Sequence, residues 1–256
     1  MLLFSSALIA EPQQLLVATT TSIENSGLLN YLIPIFKQEH NINVKIIATG
    51  TGKAIKLAKQ GDVDMIIVHA PAKEEEFVKS GFGVDSQGLM YNYFLIVGPK
   101  DDPANVKHLN TAAKVFSNIQ KTRSTFISRG DHSGTYFKEL NIWQQSKQPS
   151  AEAWYKEVGQ GMGKTLQIAS ELNAYTLVDQ GTWIKLKDKL QLAPLYFNYN
   201  DFMMFNPYSV ILVNPKKYPD VRYKTAQVLA NWLTSKPTKK IINRYQVNGQ
   251  QLFFAK

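Results

Sequence analysis

The chain has 256 residues, 44% of them hydrophobic, so it can bury a sizeable core as one large domain or two smaller ones. Lysine and arginine outnumber aspartate and glutamate by 29 to 20, but they are spread along the chain without a basic helix or an aromatic RNA-binding signature, and nucleic acid is not an expected partner. Cysteine is absent and the four histidines lack metal-ligand spacing, which excludes disulfides and thiolate catalysis and gives no reason to expect a metal or a cofactor.

The first ten residues, MLLFSSALIA, form a short apolar stretch that ends in a small residue before EPQQ. This is the shape of a secretory signal with its cleavage site, and it is too short to span a bilayer. A positively charged start is lacking, which leaves a hydrophobic tail as the alternative. We predict a signal-like segment over residues 1–14. The mature protein is then expected to be soluble and periplasmic, or otherwise extracytoplasmic.

The first part of the chain alternates apolar strands with helical patterns. Short runs rich in Ile and Val predict strands buried on both faces of a sheet, at residues 15–18, 44–48 and 65–69. Between them, a helix begins near Ser26, where Pro34 must kink it or end its first part, and a second helix is closed by Gly61. This β-α-β-α-β order predicts a parallel sheet covered by helices on both faces.

After the stretch YFLIVGPKDDP at 93–103, whose apolar part at 93–98 predicts a strand, the same alternation begins again. The predicted elements are a helix near 104–119, a strand at 125–128, a helix carrying Phe137, Leu140 and Trp143, a helix at about 163–173, a strand at 174–178, an apolar strand at 208–215, and helices at about 220–235 and 238–245.

Two similar α/β units in a chain of this length, with two apolar strands able to cross between them, predict a two-lobed α/β protein with a hinge. The first lobe is expected to comprise residues 15–95 and 208–256, and the second lobe residues 96–207. Ligands of such folds lie in the crevice at the carboxyl ends of the strands.

Three loops rich in hydroxyl groups and glycine lie where a predicted strand ends and a helix begins: ATTTS at 18–22, ATGTGKA at 48–54 and SRGDHSGT at 128–135. Helix N-termini present unpaired backbone N–H groups and bind anions. The hydroxyl donors of the loops are Thr20, Thr21, Ser22, Thr51, Ser133 and Thr135, and the glycines at 50, 52, 130 and 134 allow close backbone approach. Arg129 and Lys53 add positive charge.

Each loop also has a purely structural interpretation. A Ser or Thr in such a turn is usually an N-cap without a ligand, and Asp131 could simply pair with Arg129 or cap the next helix. GTGKA fails the phosphate-loop pattern, because Ile47 stands where the first glycine belongs and Ala54 replaces Ser or Thr. His69 is more typical of a core or cleft-wall histidine than of a ligand, and His132 of an exposed one.

Five blocks in order identify a resemblance: ATTTSIENSGLL at 18–29, ATGTGKAIKLAKQGDVDMIIVHAP at 48–71, MYNYFLIVGPKDDP at 90–103, SRGDHSGT at 128–135 and NAYTLVDQGTW at 173–183. Together they resemble the tungstate-binding periplasmic proteins of ABC transporters. The resemblance implies a type II periplasmic-binding-protein fold, a monomer, and delivery of tungstate to a membrane permease. It also implies that the anion is contacted by the Thr19 to Ser22 turn (Thr20, Thr21 and Ser22 above all), Thr51, Arg129, Ser133, Gly134 and Thr135.

The chemistry of the ligand suits those residues. Tungstate and its nearest competitor, molybdate, are tetrahedral dianions without a proton, so a cage made only of donors fits them. Phosphate carries a proton near pH 7 and needs an acceptor, a role open to Asp131, so a phosphate or other tetrahedral-oxyanion receptor stays an alternative. A further alternative is a phosphate-ester hydrolase with Ser133 or Ser22 as nucleophile, although no His–carboxylate pair can be placed beside either serine.

Overall fold

A computed structural model describes residues 13–146 and 153–256 of the chain. Residues 1–12, which make up most of the predicted signal-like segment, lie outside the described residues, so that segment stays a prediction. In the part of the chain that the structure describes, each helix is too short or too polar to traverse a lipid bilayer.

The first three strands form a parallel sheet whose carboxyl ends meet at one edge. They are β1 (Gln13–Thr20), β2 (Ile42–Thr49) and β3 (Met65–Val68), and the helices that follow them are α1 (Thr21–Ser26), α2 (Leu28–His40), α3 (Thr51–Gln60) and α4 (Pro71–Lys79). In the register, Thr20 is paired with Thr49, and Thr19 lies beside Ile67. The loops after β1 and β2 are therefore neighbours, as the sequence predicts.

Two details of this region differ from the sequence-based expectation. β2 lies at the end of the strand order and most of its residues are partly exposed, so the prediction that it is buried on both faces is wrong. Of the two alternatives predicted for Pro34, a kink or an end of the first part of the helix, the end is absent: Gly27, at φ +79°, separates α1 from α2 instead, and α2 continues past Pro34. Its buried side chains Leu32 and Phe36 stand on either side of the proline, and their packing outweighs one lost backbone hydrogen bond.

A long strand and its antiparallel partner connect the two halves of the molecule. β4 (Gly83–Pro99) pairs with β9 (Phe205–Val213), and β9 also pairs with β3. The elements between β4 and β9 form the second half, and those before β4 and after β9 form the first half. The second half pairs with the far end of β4 through β7 (Thr176–Asp179) and β8 (Leu192–Tyr196), both antiparallel. The sheet is thus parallel among β1, β2 and β3 and antiparallel beyond them, because β9 runs antiparallel to both β3 and β4.

The remaining elements of the second half surround β5 (Phe126–Ser128). They are α5 (Ala112–Thr122), α6 (Gly134–Ser146), β6 (Tyr155–Glu157), α7 (Met162–Glu171) and α8 (Gln180–Leu186). The chain then closes with α9 (Tyr223–Leu233), α10 (Lys236–Arg244), β10 (Gln246–Val247), β11 (Gln250–Gln251) and β12 (Phe254–Ala255). The sequence patterns missed α4, α8, β6 and β8, which are short.

The helix predicted near 104–119 begins only at Ala112. Asp102 explains the delay, because one carboxylate oxygen accepts from the backbone N–H groups of Val106 and Lys107 at 2.8 and 3.0 Å and holds the intervening chain in turns. Thr111 then caps α5 by accepting from the Lys114 N–H. A side chain that binds the backbone locally thus outcompetes the helical hydrogen bonds over this segment.

Four apolar clusters form the core. Two surround the parallel strands, around Leu15, Phe36 and Tyr208 and around Ile66, Phe77 and Val213. The other two belong to the second half, around Phe116, Phe126 and Trp143 and around Val97, Leu166 and Val178. Strand β4 contributes side chains to three of these clusters. The clusters therefore do not divide the chain at one point along this strand, and the lobe boundaries predicted at residues 95 and 208 stay a prediction.

A pair of glycine substitutions separates backbone strain from side-chain overlap. Gly61 (φ +77°) ends α3, and a Cβ there would lie 2.7 Å from the ring of Tyr218, whose hydroxyl donates to the Lys59 carbonyl. Gly81 has a similar φ of +74° but open space around its Cβ position. We expect Gly81→Ala to cost about 1 kcal/mol and Gly61→Ala roughly 2 kcal/mol or more in the free energy of unfolding, measured by urea titration. Equal losses would contradict the contribution of Tyr218.

Candidate functional site

The loop after β2 and the loop after β5 are in direct contact. The backbone N–H of Gly52 donates to the carbonyl of His132 at 3.1 Å. The loop after β1 lies beside the loop after β2, because Thr20 and Thr49 are paired in register. The three loops that the sequence singled out therefore converge, and the N-termini of α3 and α6 face the same place.

Buried hydroxyl groups without partners mark this place. The side-chain oxygens of Thr21, Ser22, Thr51 and Thr135 are inaccessible to solvent and have no hydrogen-bond partner among the described residues. An unpaired buried hydroxyl costs about 1 to 3 kcal/mol, so several in one region are unfavourable unless a further group binds them. Hydroxyl hydrogens rotate, so all four groups can donate to a single acceptor-rich ligand.

Three other hydroxyls of these loops, on Thr19, Thr20 and Ser133, have structural partners. Thr20 Oγ1 accepts from the Ile23 N–H at 3.4 Å, and Ser133 Oγ accepts from the Tyr136 N–H at 3.2 Å, so both cap helices. In each case the hydroxyl hydrogen is still available for donation. Thr19 differs, because its hydroxyl donates to the Ile67 carbonyl at 3.0 Å within the sheet. The contact that the resemblance implies for Thr19 therefore does not fit its side chain.

Arg129 places a buried positive charge at the site. Its side chain is 2% exposed, and Nη2 donates to Asp131 Oδ2 at 2.5 Å, while Nε has no partner among the described residues. The other carboxylate oxygen of Asp131 accepts from the Ser133 N–H at 3.2 Å. Asp131 thus fixes the orientation of the guanidinium relative to the start of α6 and leaves Nε available to a ligand.

His69 forms the wall against which α6 begins. It is 3% exposed, its ring lies 4.7 Å from the ring of Tyr208, and a Cβ on Gly134 would meet the imidazole at 2.7 Å. Gly134 is therefore required by the histidine ring, whatever its role toward a ligand. His132, as expected, is exposed; its backbone adopts φ +54°.

Hydrogen bonds define the state of the His69 ring. Nδ1 lies 2.8 Å from Asn206 Oδ1, and Asn206 Nδ2 donates to Asn92 Oδ1 at 2.7 Å and to the Tyr208 hydroxyl at 3.0 Å. This arrangement makes Nδ1 the donor and leaves Nε2 a lone pair without a partner among the described residues. Burial lowers the pKa of His69 to about 4, so the ring is neutral at pH 7.

A second buried group near the site is also neutral. Burial raises the pKa of Glu139 to about 8, in spite of hydrogen bonds from the Tyr155 hydroxyl at 2.8 Å and the Trp143 indole at 3.1 Å. At pH 7 most molecules therefore carry this carboxyl in its protonated form. Protonation of Glu139 thereby reduces the negative charge near the site, which would otherwise repel a bound anion.

Sequence patterns missed two further residues with unpaired buried polar atoms, Asn92 and Gln180. Asn92 had a detectable signal, because it is an amide in the middle of a strand whose following residues are apolar. The loop before α7 was also missed, although a Cβ on Gly161 would lie 3.8 Å from the hydroxyl oxygen of Thr21. The run GQG at 159–161 could have indicated it.

The chemistry of the assembled groups is that of an anion site. They comprise hydroxyls, backbone N–H groups at helix starts and a guanidinium, all of which donate hydrogen bonds. Over residues 13–146 and 153–256, no group of three or more His, Asp or Glu side chains is placed to hold a metal ion.

Comparisons with known proteins give a consistent result. A family model described as a PBP superfamily domain matches residues 9–237. The chain is 39% identical over 233 residues to the tungstate-binding protein TupA of Peptoclostridium acidaminophilum, covering 90% of this chain and 81% of that protein. The solved structure of the tungstate binding protein TupA from Desulfovibrio alaskensis G20 has a TM-score of 0.81 at 42% identity, covering 95% of this chain and 99% of the other. The solved structure of the tungstate ABC transporter from Geobacter sulfurreducens has a TM-score of 0.82 at 45% identity, covering 91% of this chain and 98% of the other.

The low pKa of His69 predicts a specific acid sensitivity. An unfolded histidine has a pKa of about 6.5, so between about pH 6.5 and 4 the unfolded chain binds a proton that the folded protein excludes. The free energy of unfolding should therefore fall as the pH drops through this window. His69→Gln should remove on the order of 2 kcal/mol of that fall, measured by urea titrations of the ligand-free proteins at pH 7, 5.5 and 4.

Burial raises the pKa values of Glu74 and Glu139 to about 7 and 8, so their protonation favours the folded protein as the pH falls, which is opposite to the effect of His69. Both carboxyl groups are present in the wild type and in His69→Gln, so the comparison between these two proteins isolates His69. Parallel stability curves for the wild type and His69→Gln would contradict a buried neutral histidine.

Proposed function

Because the chain belongs to the PBP superfamily and, within it, to the family of the TupA tungstate-binding proteins, we propose that it captures tungstate outside the cytoplasm and delivers it to the permease of an ABC importer. Its fold is the type II periplasmic-binding-protein fold of those relatives. The ligand is tungstate itself, held as an oxyanion without a cofactor, and the protein acts as a monomer with molybdate as the nearest competitor.

The observation that carries the proposal is the cluster of unpaired buried donors. Thr21, Ser22, Thr51 and Thr135 each bury a hydroxyl without a partner among the described residues, and Arg129 buries an unpaired Nε–H beside them. A tetrahedral dianion has four oxygens that only accept hydrogen bonds, so it can satisfy all of these donors at once. Desolvation strengthens each of those bonds, because the surrounding dielectric constant is low.

The state of Asp131 argues against phosphate. A protonated phosphate needs an acceptor for its hydrogen, and both oxygens of Asp131 already accept, one from Arg129 and one from the Ser133 N–H, which makes their remaining lone pairs weaker acceptors. A fully deprotonated anion such as tungstate needs no acceptor. Sulfate also has no proton at neutral pH, but it is smaller, so it is expected to leave some donors unreached.

Binding rather than hydrolysis fits the two candidate nucleophiles. The hydroxyl of Ser22 has no general base within hydrogen-bond reach among the described residues, and that of Ser133 accepts from a backbone N–H. The exposed His132 precedes Ser133 in the chain, but no hydrogen bond between their side chains is present in the described part of the structure. A turnover assay with a chromogenic phosphate ester tests the hydrolase alternative, and release of product above the buffer rate would support it.

Selectivity among anions is the first test of the proposal. Each buried donor that a smaller anion fails to reach costs roughly 1 to 3 kcal/mol, so sulfate should bind at least tenfold more weakly than tungstate. Calorimetric titrations with tungstate, molybdate, sulfate and phosphate in turn measure this. Sulfate or phosphate affinity equal to that for tungstate would overturn the tungstate assignment.

A second test separates the roles of Arg129 and Asp131. Arg129→Ala removes a charge-assisted contact from a desolvated site and should weaken tungstate binding by about 2 to 5 kcal/mol, with Arg129→Lys recovering part of the loss. Asp131→Ala should cost less, because it frees the guanidinium without removing its charge. Calorimetry on the three variants, with melting curves of the ligand-free forms, distinguishes these effects. A greater loss for Asp131→Ala would show that the ion pair, and not the arginine itself, governs binding.

A further inference from the structure

Gly52 makes a contact that no other residue type permits. It is the second residue of α3, and its N–H donates to the His132 carbonyl at 3.1 Å. A Cβ placed on Gly52 would lie 2.9 Å from that carbonyl oxygen and 3.3 Å from the His132 Cβ. The first distance is shorter than non-bonded contacts allow, so a side chain at this position would push the two loops apart.

The local backbone gives no other reason for a glycine. Gly52 is absent from the residues with positive φ and lies in a regular helix, where any L-residue fits. Glycine is also among the least favourable residues inside a helix, since it loses the most conformational freedom. The glycine therefore lowers the stability of helix α3 at this position. The close approach of residue 132 is the feature that requires a glycine here.

The contact joins the two halves of the molecule beside the proposed anion site. Helix α3 packs through Ala54, Ile55 and Ala58 against the first half, whereas α6, which starts just after His132, packs through Trp143 in the second half. The chain neighbours of the contacting residues are Thr51 and Ser133, both of which are buried at the site. The hydrogen bond thus links the two halves at the point where the anion donors converge.

We propose that Gly52 is a positioning residue for cleft closure: its missing side chain allows the loop at 131–133 to seat on α3 and so brings the donors of both halves onto one anion. The inference rests on the proposed function. Gly52 touches no ligand atom through a side chain, so its effect is exerted through the approach of His132. Closure of two lobes around a small ligand is a known mode of conformational change.

The chain contains a matched control. Gly163 is the second residue of α7, and like Gly52 it follows a glycine N-cap, in GMGK at 161–164 compared with GTGK at 50–53. A Cβ on Gly163 would lie 3.5 Å from Leu186 Cδ1 and 3.8 Å from Asn25 Nδ2, which are ordinary van der Waals distances. Gly163→Ala therefore has the same effect on helix propensity without the overlap.

The experiment compares the wild type with Gly52→Ala and Gly163→Ala. Calorimetry should give a tungstate Kd at least tenfold higher for Gly52→Ala and within about twofold of wild type for Gly163→Ala. Melting temperatures of the ligand-free proteins should be unchanged or raised in both variants, because alanine favours the helix. In hydrogen exchange, tungstate should protect the amide of residue 52 in the wild type and protect it much less in Gly52→Ala.

Three results would overturn the inference. One is a Kd for Gly52→Ala within twofold of wild type. Another is a melting temperature of ligand-free Gly52→Ala well below that of Gly163→Ala, because the contact would then belong to the fold and not to closure. If the wild type binds no tungstate, the proposed function fails, and the inference is decided with molybdate, sulfate and phosphate in place of tungstate: an anion that binds should protect the amide of residue 52 in the wild type and bind at least tenfold more weakly to Gly52→Ala, and equal affinity of the two proteins for that anion rejects it.

Discussion

The cost of burying hydrogen-bond donors without acceptors is the constraint on which this structure depends. Three hydroxyls that are inaccessible to solvent, on Ser22, Thr51 and Thr135, lie at the starts of three different helices, and the guanidinium of Arg129 is buried with them. The apolar clusters on both sides must hold these groups in place, because in isolation the groups favour hydration. An acceptor-rich anion forms hydrogen bonds with these donors and removes the cost of leaving them unpaired. The free energy of folding that the ligand-free protein loses at this site is therefore recovered as binding free energy.

Electrostatics at the site rely on few formal charges. Arg129 is paired with Asp131, His69 is neutral because burial lowers its pKa to about 4, and Glu139 is mostly protonated because burial raises its pKa to about 8. Much of the attraction for an anion must then come from oriented dipoles, namely hydroxyls and the N–H groups at the starts of α3 and α6. The net charge of +9, spread over the whole chain, would favour the encounter with an anion without adding to the contacts that discriminate between anions.

The strand arrangement explains how one small ligand can affect the whole molecule. β4 contributes to core clusters in both halves, and β9 is hydrogen-bonded between β3 and β4, so the halves share a continuous sheet while their loops meet elsewhere. The loops meet through polar contacts such as the hydrogen bond from Gly52 to His132, and Ile184 of α8 also packs into the apolar cluster around Leu15. A ligand that contacts both sets of loops therefore acts on two halves that the same strands connect. The described relatives have the same fold, with TM-scores of 0.81 and 0.82.

The sequence by itself determined the parallel strands, the three loops and the family, because burial periodicity, strand-end hydroxyls and five ordered blocks are all local features of the chain. It also placed the candidate donors together, since the carboxyl ends of parallel strands meet at one edge of a sheet. It did not determine that β2 is an exposed edge, that Asp102 delays α5, or that α2 continues past Pro34. Only the tertiary structure decided that Gly134 is needed by the ring of His69 and Gly52 by the carbonyl of His132. The physical reason is that steric exclusion between residues distant in sequence depends on how the two halves pack, and no local pattern of residues encodes that approach.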